Sequence, residues 1–362
     1  MATETQIVIV GAGLVGLATA VALATEGVEV TLVDQLADPA EGARGLGQVE
    51  PGVLEHPQRT LAALGHDDFH DLLAFLRRNR ELAGDLLDPC GVTWHAVDDR
   101  EPPDLEEAAR VWSEAGEDVA ILHPDLPTGT RMAVRLAGWG RIDPVRTVRT
   151  LVARAETLGV RCLFGTPALV LDTDPPTVSI GEETLTAELL VVAAGVDSAA
   201  LVPRLDGSLT PIREAAAAFM GRTDTCVGRA GQGWTTWITR DGRTLVSGCR
   251  WATPHLEVGE ADASVLEPRV HGRIDAFATE RLGCATPALD RWAWITCDTR
   301  DHLPLIGPIP GQPRVLVATG FGPNPASWSF AAAAALADGI LHGESTAPTR
   351  LRTSRLVRWT RG

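Results

Sequence analysis

The 362-residue sequence contains neither lysine nor tyrosine. Without lysine, a Walker-type phosphate lysine, a lysine Schiff base and a lysine general base are all excluded. Without tyrosine, no phenol can serve as acid, base or substrate clamp. The 32 basic residues are therefore all arginine, and against 47 acidic residues they leave a net charge of −15. That balance argues against a nucleic-acid partner or an anionic membrane surface, both of which need clustered positive charge. No apolar run reaches membrane-spanning length. The first strand opens at Ile7, which leaves no room for a secretory leader, so a cytoplasmic location is expected. Cysteine is sparse: Cys90, Cys162, Cys226, Cys249, Cys284 and Cys297 show no C-x-x-C pairing. Neither a zinc site nor a redox motif is readable, and buried thiols are expected throughout.

What is present begins at the N-terminus. Ile7-Val8-Ile9-Val10 runs into Gly11-Ala12-Gly13-Leu14-Val15-Gly16 and then an alanine-rich helical stretch to about Glu26. Four apolar β-formers, a glycine turn and an apolar helix make a strand–helix corner with the G-x-G-x-x-G fingerprint. Gly11 permits the tight turn, Gly13 lets a pyrophosphate approach bare backbone, and Gly16 allows close helix–strand packing. The second strand, Val28 to Val33, ends at Asp34, about twenty residues on, placed to accept ribose hydroxyls. An unphosphorylated ribose follows, as in FAD or NAD.

At 362 residues and 45% hydrophobic content the chain has length for two cores. Asp38 to Gln48 is too glycine-rich for regular structure and should pass beside the cofactor. A helix is predicted from about Asp67 to Leu87; His66 and His70 stand four apart there without further ligands, so a solvated face is expected and no metal. An acidic, proline-containing stretch from Asp99 reads as the edge of a second domain. Asp143-Pro144 opens a helix to Leu158, and the strand from Val160 to Phe164 should add a parallel strand to the first sheet. From Ile212 to Trp294 the pattern is that of an antiparallel sheet. A strand near Val315 to Ala318 and a helix from about Ala326 to Leu341 close the chain, ahead of an arginine-rich tail read as a solvated end.

Four segments together resemble the D-amino acid oxidase family of flavoproteins, which includes glycine oxidase. They are the glycine corner with Asp34, the helix opened by Ile142-Asp143-Pro144, the strand Val191 to Gly195, and Thr299-Arg300-Asp301-His302-Leu303-Pro304 through Gly320-Phe321-Gly322. The resemblance implies FAD, a discontinuous Rossmann-like α/β domain (1–88, 138–210, 295–362) and a substrate domain with a mostly antiparallel sheet (89–137, 211–294). It implies cofactor contacts from Gly11, Gly13, Leu14, Val15, Gly16, Asp34, Arg44, Gly45, Leu46, Gly47, Gln48, Ala168, Ala194 and Gly195. Gly320, Phe321, Gly322, Pro323 and Asn324 should face the flavin edge where charge builds on reduction. The offset of Cys297 from Asp301 does not match relatives with a cysteinyl flavin, so non-covalent FAD is expected.

The departures bear on substrate. Where the family places a carboxylate-clamping arginine, this chain has Thr296, and the loop after the last strand reads Pro323-Asn324-Pro325. The usual carboxylate clamp is missing unless Arg213, Arg250 or Arg300 replaces it from another direction. Ten tryptophans stand against seven phenylalanines, and Trp234, Trp237, Trp251, Trp294 and Trp328 are placed to stack on a flat, indole-like substrate. For proton movement His56 and His302 are the candidates, beside Arg300 and Asn324. The expectation is an FAD oxidoreductase using O2 on the C–N bond of a small, aromatic amine or amino acid. The alternatives are an oxygenase acting on an aromatic ring in natural-product metabolism and a non-catalytic FAD or electron-transfer protein. The sequence leaves the oligomeric state open.

Overall fold

The computed structural model describes residues 3–52, 55–122, 130–221, 223–231 and 233–356. Its architecture is mixed α/β, built on two eight-stranded sheets. At the centre of the first sheet the opening strand, Thr3–Val10, runs parallel to Val30–Asp34 on one side and Glu183–Val192 on the other. Arg161–Phe164 extends it beyond Asp34 and Gln312–Thr319 beyond Val192, both also parallel. These strands read as continuous Val/Ile/Leu runs because both faces are covered. The helix Leu14–Thr25 is apolar nearly all round for the same reason, packing on the sheet and against the helices Pro144–Thr157 and Ser329–His342. The Asp143 side chain caps the first of those, accepting the Arg146 N–H at 3.0 Å, with Pro144 in the first turn.

The second sheet is antiparallel except where Val227–Ala230 runs beside Val92–Ala96. Its longest members, Leu209–Met220 and Ala285–Thr299, pair along most of their length, and the second carries the chain back toward the first sheet. Thr235–Arg240 and Arg243–Gly248 are joined by Asp241-Gly242, both at positive φ, the two-residue turn that matches strand twist. Val119–Leu122 is the outer strand of this sheet.

Several expectations need correction. Cys90 and Cys226 form a disulfide that ties the starts of the two parallel strands together, so they are not thiols; Cys162, Cys249, Cys284 and Cys297 are free. The histidine helix is His66–Ala83, ended by Gly84 at φ 50°. The last helix begins at Ser329, after a turn at Pro325–Ser327. The tail is docked rather than solvated: Arg355 is buried against Asp301, and Arg350 pairs with Asp68 at 2.6 Å; residues 357–362 lie outside the described set. Among the described residues no helix is long and apolar enough to cross a membrane.

Candidate active site

The parallel strands end together, and at their C-terminal edge lies a long cavity of about 740 Å³, where open α/β sheets bind ligands. Its floor is the glycine corner. A side chain at Gly11 would collide with the Ala193 carbonyl, one at Gly16 with the Gly11 carbonyl, whereas one at Gly13 would meet nothing within 4 Å. Two glycines thus set the backbone, and the third keeps the helix N-terminus open to an anion. Asp34 closes this end, its carboxylate accepting the N–H groups of Ala12 at 2.6 Å and Leu36 at 2.8 Å. Those bonds orient it, and a carboxylate retains acceptor capacity for a ribose. Leu14, Val15, Ala168, Ala194 and Gly195 complete the floor and nearer wall. This donor set, with its open glycine, fits an adenine dinucleotide.

At the far end Arg44, Gly45 and Gly47 form one lip and Phe321, Gly322, Pro323 and Asn324 the other, with Thr296 and Cys297 between. Thr296 Oγ1 donates to the Gly322 carbonyl and so fixes that loop. The Cys297 thiol is pushed up by burial. Gly16 and Gly320 are packing glycines outside the cavity lining; at Gly320 a side chain would strike Thr299.

A small recess of about 40 Å³ opens beside this end, sharing Trp294 and Pro323 with the cavity. Leu46 and Gln48 line the recess rather than the cavity, because alternate residues of their loop face opposite ways. Its other lining residues include Glu214, Arg229, Trp234, Thr236, Ser247 and Arg250. Arg250 Nη1 stands 3.2 Å from Glu214 Oε1, with its guanidinium 5.2 Å from the Trp234 ring centroid. Neither Nη1 nor Oε1 makes a hydrogen bond among the described residues. Burial raises the Glu214 carboxyl above its ordinary range, more strongly than Arg250 and Arg229 lower it. Behind the recess, Arg229 pairs with Glu50, and Asn324 Nδ2 donates to Glu50 at 2.8 Å and to Ser327 at 2.8 Å.

Of the substrate and catalytic candidates, Trp234, Trp294, Arg250, Thr296 and Asn324 lie at this end of the cavity and its recess, and the rest do not. Arg213 is buried elsewhere, bidentate to Glu257 at 3.0 and 3.2 Å. Arg300 is exposed and donates to the Gly207 carbonyl. His302 is exposed and hydrogen-bonded to Asp298 at 2.5 Å, which raises its pKa. His56 is buried edge-on against Trp94, and burial lowers its pKa to about 4. Trp237 points into the core between His95 and Phe277, Trp328 is core, and Trp251 is half exposed beneath Arg273. Of these five tryptophans, Trp234 and Trp294 therefore meet at the recess and the other three do not. Glu50, Glu214 and Arg229 were not singled out from the sequence. Asp88, Cys90 and Cys226 cluster closely enough for a metal, but the disulfide leaves those sulfurs no ligand capacity.

The profile of the FAD dependent oxidoreductase family DAO matches residues 6–339. A tRNA 5-methylaminomethyl-2-thiouridine biosynthesis bifunctional protein from Paracidovorax citrulli is 28% identical over 84% of this chain and 52% of its own length. The chain spans about half the length of the curated relatives it matches. Among solved structures, L-proline dehydrogenase from P. horikoshii superposes with a TM-score of 0.81 at 16% identity, covering 99% of both chains. Glycine oxidase from Geobacillus kaustophilus gives 0.76 at 21%, covering 98% of this chain and 99% of the other. With that profile spanning nearly the whole chain and a glycine corner that fits its dinucleotide, the chain belongs to the FAD dependent oxidoreductase family and is an enzyme whose cofactor is FAD.

Proposed function

We propose that the protein oxidises the C–N bond of a small amino acid or N-substituted amino acid, held where the recess meets the cofactor cavity, with its carboxylate on Arg250. The observation that carries this reading is the buried Arg250–Glu214 pair with unmet hydrogen-bonding capacity, beside Trp294 at the end of the cofactor cavity. A guanidinium in that position offers a charge-assisted clamp in place of the absent family arginine. The FAD, when bound, supplies the two-electron acceptor. The chain's residues do the rest: Arg250 fixes one end of the substrate, the hydroxyls of Thr236 and Ser247 offer further polar contacts, and Trp234 and Trp294 form walls that exclude water. We take the cofactor unit to comprise 1–88, 138–210 and 295–362, and the recess-bearing unit 89–137 and 211–294.

A recess of about 40 Å³ has no room for an indole ring and admits only the polar head of a compact zwitterion whose remainder lies at the cavity end. The name of the curated relatives concerns a methylaminomethyl group on tRNA, which is consistent with amine chemistry. The net charge of −15 supports a free small molecule over tRNA itself. The test is anaerobic mixing of the FAD-loaded protein with glycine, sarcosine, L-proline, D-alanine and indole-3-acetate. Bleaching of the oxidised flavin band by an amino acid, followed by oxygen uptake or dye reduction to identify the acceptor, is the expected result. Bleaching by none of the amino acids would overturn the reading.

A further inference from the structure

We infer that Glu214 receives the substrate's ammonium group and takes a proton from it, delivering the free amine to the site. This rests on the amino-acid reading above and goes beyond it by assigning the second charge of the recess. Glu214 sits on Leu209–Met220, opposite Trp294 in the strand ladder, with a side chain only 4% exposed. Its Oε1 and Arg250 Nη1 face one another at 3.2 Å, yet neither completes a hydrogen bond among the described residues. An α-amino acid carries its own carboxylate and ammonium a few ångströms apart, with opposite polarity to this pair. Set across the pair from the recess side, it gives each charged group the aligned hydrogen bond that their mutual ion pair does not complete.

The proton step balances simply: one N–H bond of the ammonium breaks, one O–H bond forms on Glu214, and no electron changes hands. Amine oxidation by hydride loss requires the nitrogen lone pair, so this step must come first. The surroundings favour it. Burial holds the Glu214 carboxyl above its usual range, narrowing the gap to the amine. The charges facing it are Arg250 from the turn after Arg243–Gly248, Arg229 from Val227–Ala230, Glu257 and Asp298. Glu257 is held by Arg213 and Asp298 by His302, which leaves Glu214 as the carboxylate facing the recess.

The experiment uses the FAD-loaded protein and its Glu214→Gln variant, following flavin bleaching anaerobically from pH 6 to 10 with whichever amino acid reduces the wild type. Wild-type protein is expected to reduce readily at neutral pH. E214Q should lose about 10²- to 10⁴-fold in kcat/KM at pH 7 and recover about tenfold per pH unit as the free amine accumulates. A merely structural glutamate would not produce that slope, and an E214Q profile superimposable on wild type would overturn the inference while leaving amino-acid oxidation intact. Failure of every amino acid to bleach the wild type would instead remove the reading beneath it. If E214Q does not retain FAD, wild-type binding decides the matter, read as perturbation of the flavin spectrum by glycine and by acetate. Glycine binding at least about tenfold tighter supports an ammonium partner, and equal binding overturns it.

Discussion

Arg213 and Glu214 are neighbours on one strand, each buried with an opposite charge, and they solve that problem in different ways. Arg213 faces one side and is closed: two hydrogen bonds to Glu257 and one each to the carbonyls of Asp262 and Leu256 satisfy it. Glu214 faces the other side and is open, its Arg250 partner near but misaligned. A closed pair offsets its own desolvation and offers nothing to a ligand. An open pair keeps unmet capacity in the fold, which a ligand of complementary charge can satisfy. Burial alone therefore does not mark a functional ion pair; what marks it is unfinished hydrogen bonding beside a cavity.

Breaking the closed pair should have the largest effect on stability. Arg213→Ala strands Glu257 without its counter-charge and is expected to cost about 3–5 kcal/mol, read as a lower denaturant midpoint, with the flavin reduction rate of the folded fraction unchanged. Breaking the open pair should reverse the pattern. Arg250→Met is expected to lower kcat/KM for a carboxylate-bearing substrate by about a hundredfold, ~3 kcal/mol. Its midpoint should move less than that of Arg213→Ala, because Arg229 also faces Glu214 and remains as a counter-charge. A smaller effect sharpens the contrast: Arg213→Met with Glu257→Leu removes both closed charges and should leave stability within about 1 kcal/mol of wild type, or raise it. A comparable loss of flavin reduction in that double variant would show that the closed pair is not silent.

The same strand explains why only half the site is legible in the sequence. Gly11, Gly13, Gly16 and Asp34 act through backbone geometry at fixed spacing, so the dinucleotide end can be read from residue types and their intervals alone. In Leu209–Met220 alternation fails, because buried residues occupy both faces from Ile212 to Phe219. With no polar face to set parity, nothing in the residue pattern says whether Arg213 or Glu214 looks toward the cofactor. Arg213 reads as a candidate clamp, and its neighbour has the place. The tryptophans illustrate the converse: Trp292 and Trp294, two apart on a strand, share a face by necessity, whereas Trp237 turns to the core because the residue before it, Thr236, lines the recess. Glu50 and Arg229 meet only through the fold, 179 positions apart. The disulfide has no local signature either, since its cysteines are 136 residues apart.

The contrast between buried groups and groups held by a counter-charge extends to the histidines, where the expected effects are smallest and of opposite sign. His56 is buried with no hydrogen-bond partner on Nδ1, and His95 lies beside Trp237; burial lowers each to about 4 from an ordinary value of 6.5. The unfolded chain then binds protons more readily than the folded one, so stability is lost progressively as pH falls from about 6.5 toward 4. His302 is satisfied by Asp298, which raises its pKa. The folded protein holds that proton more tightly, so its contribution is complete below the ordinary value and disappears as pH rises through the raised one. Denaturant midpoints measured from pH 4 to 9 should therefore fall on the acid side in wild type and in His302→Gln alike, while the weak alkaline decline should be absent from His302→Gln. An alkaline decline that persists in His302→Gln would mean that the contact between exposed His302 and buried Asp298 contributes nothing to the fold.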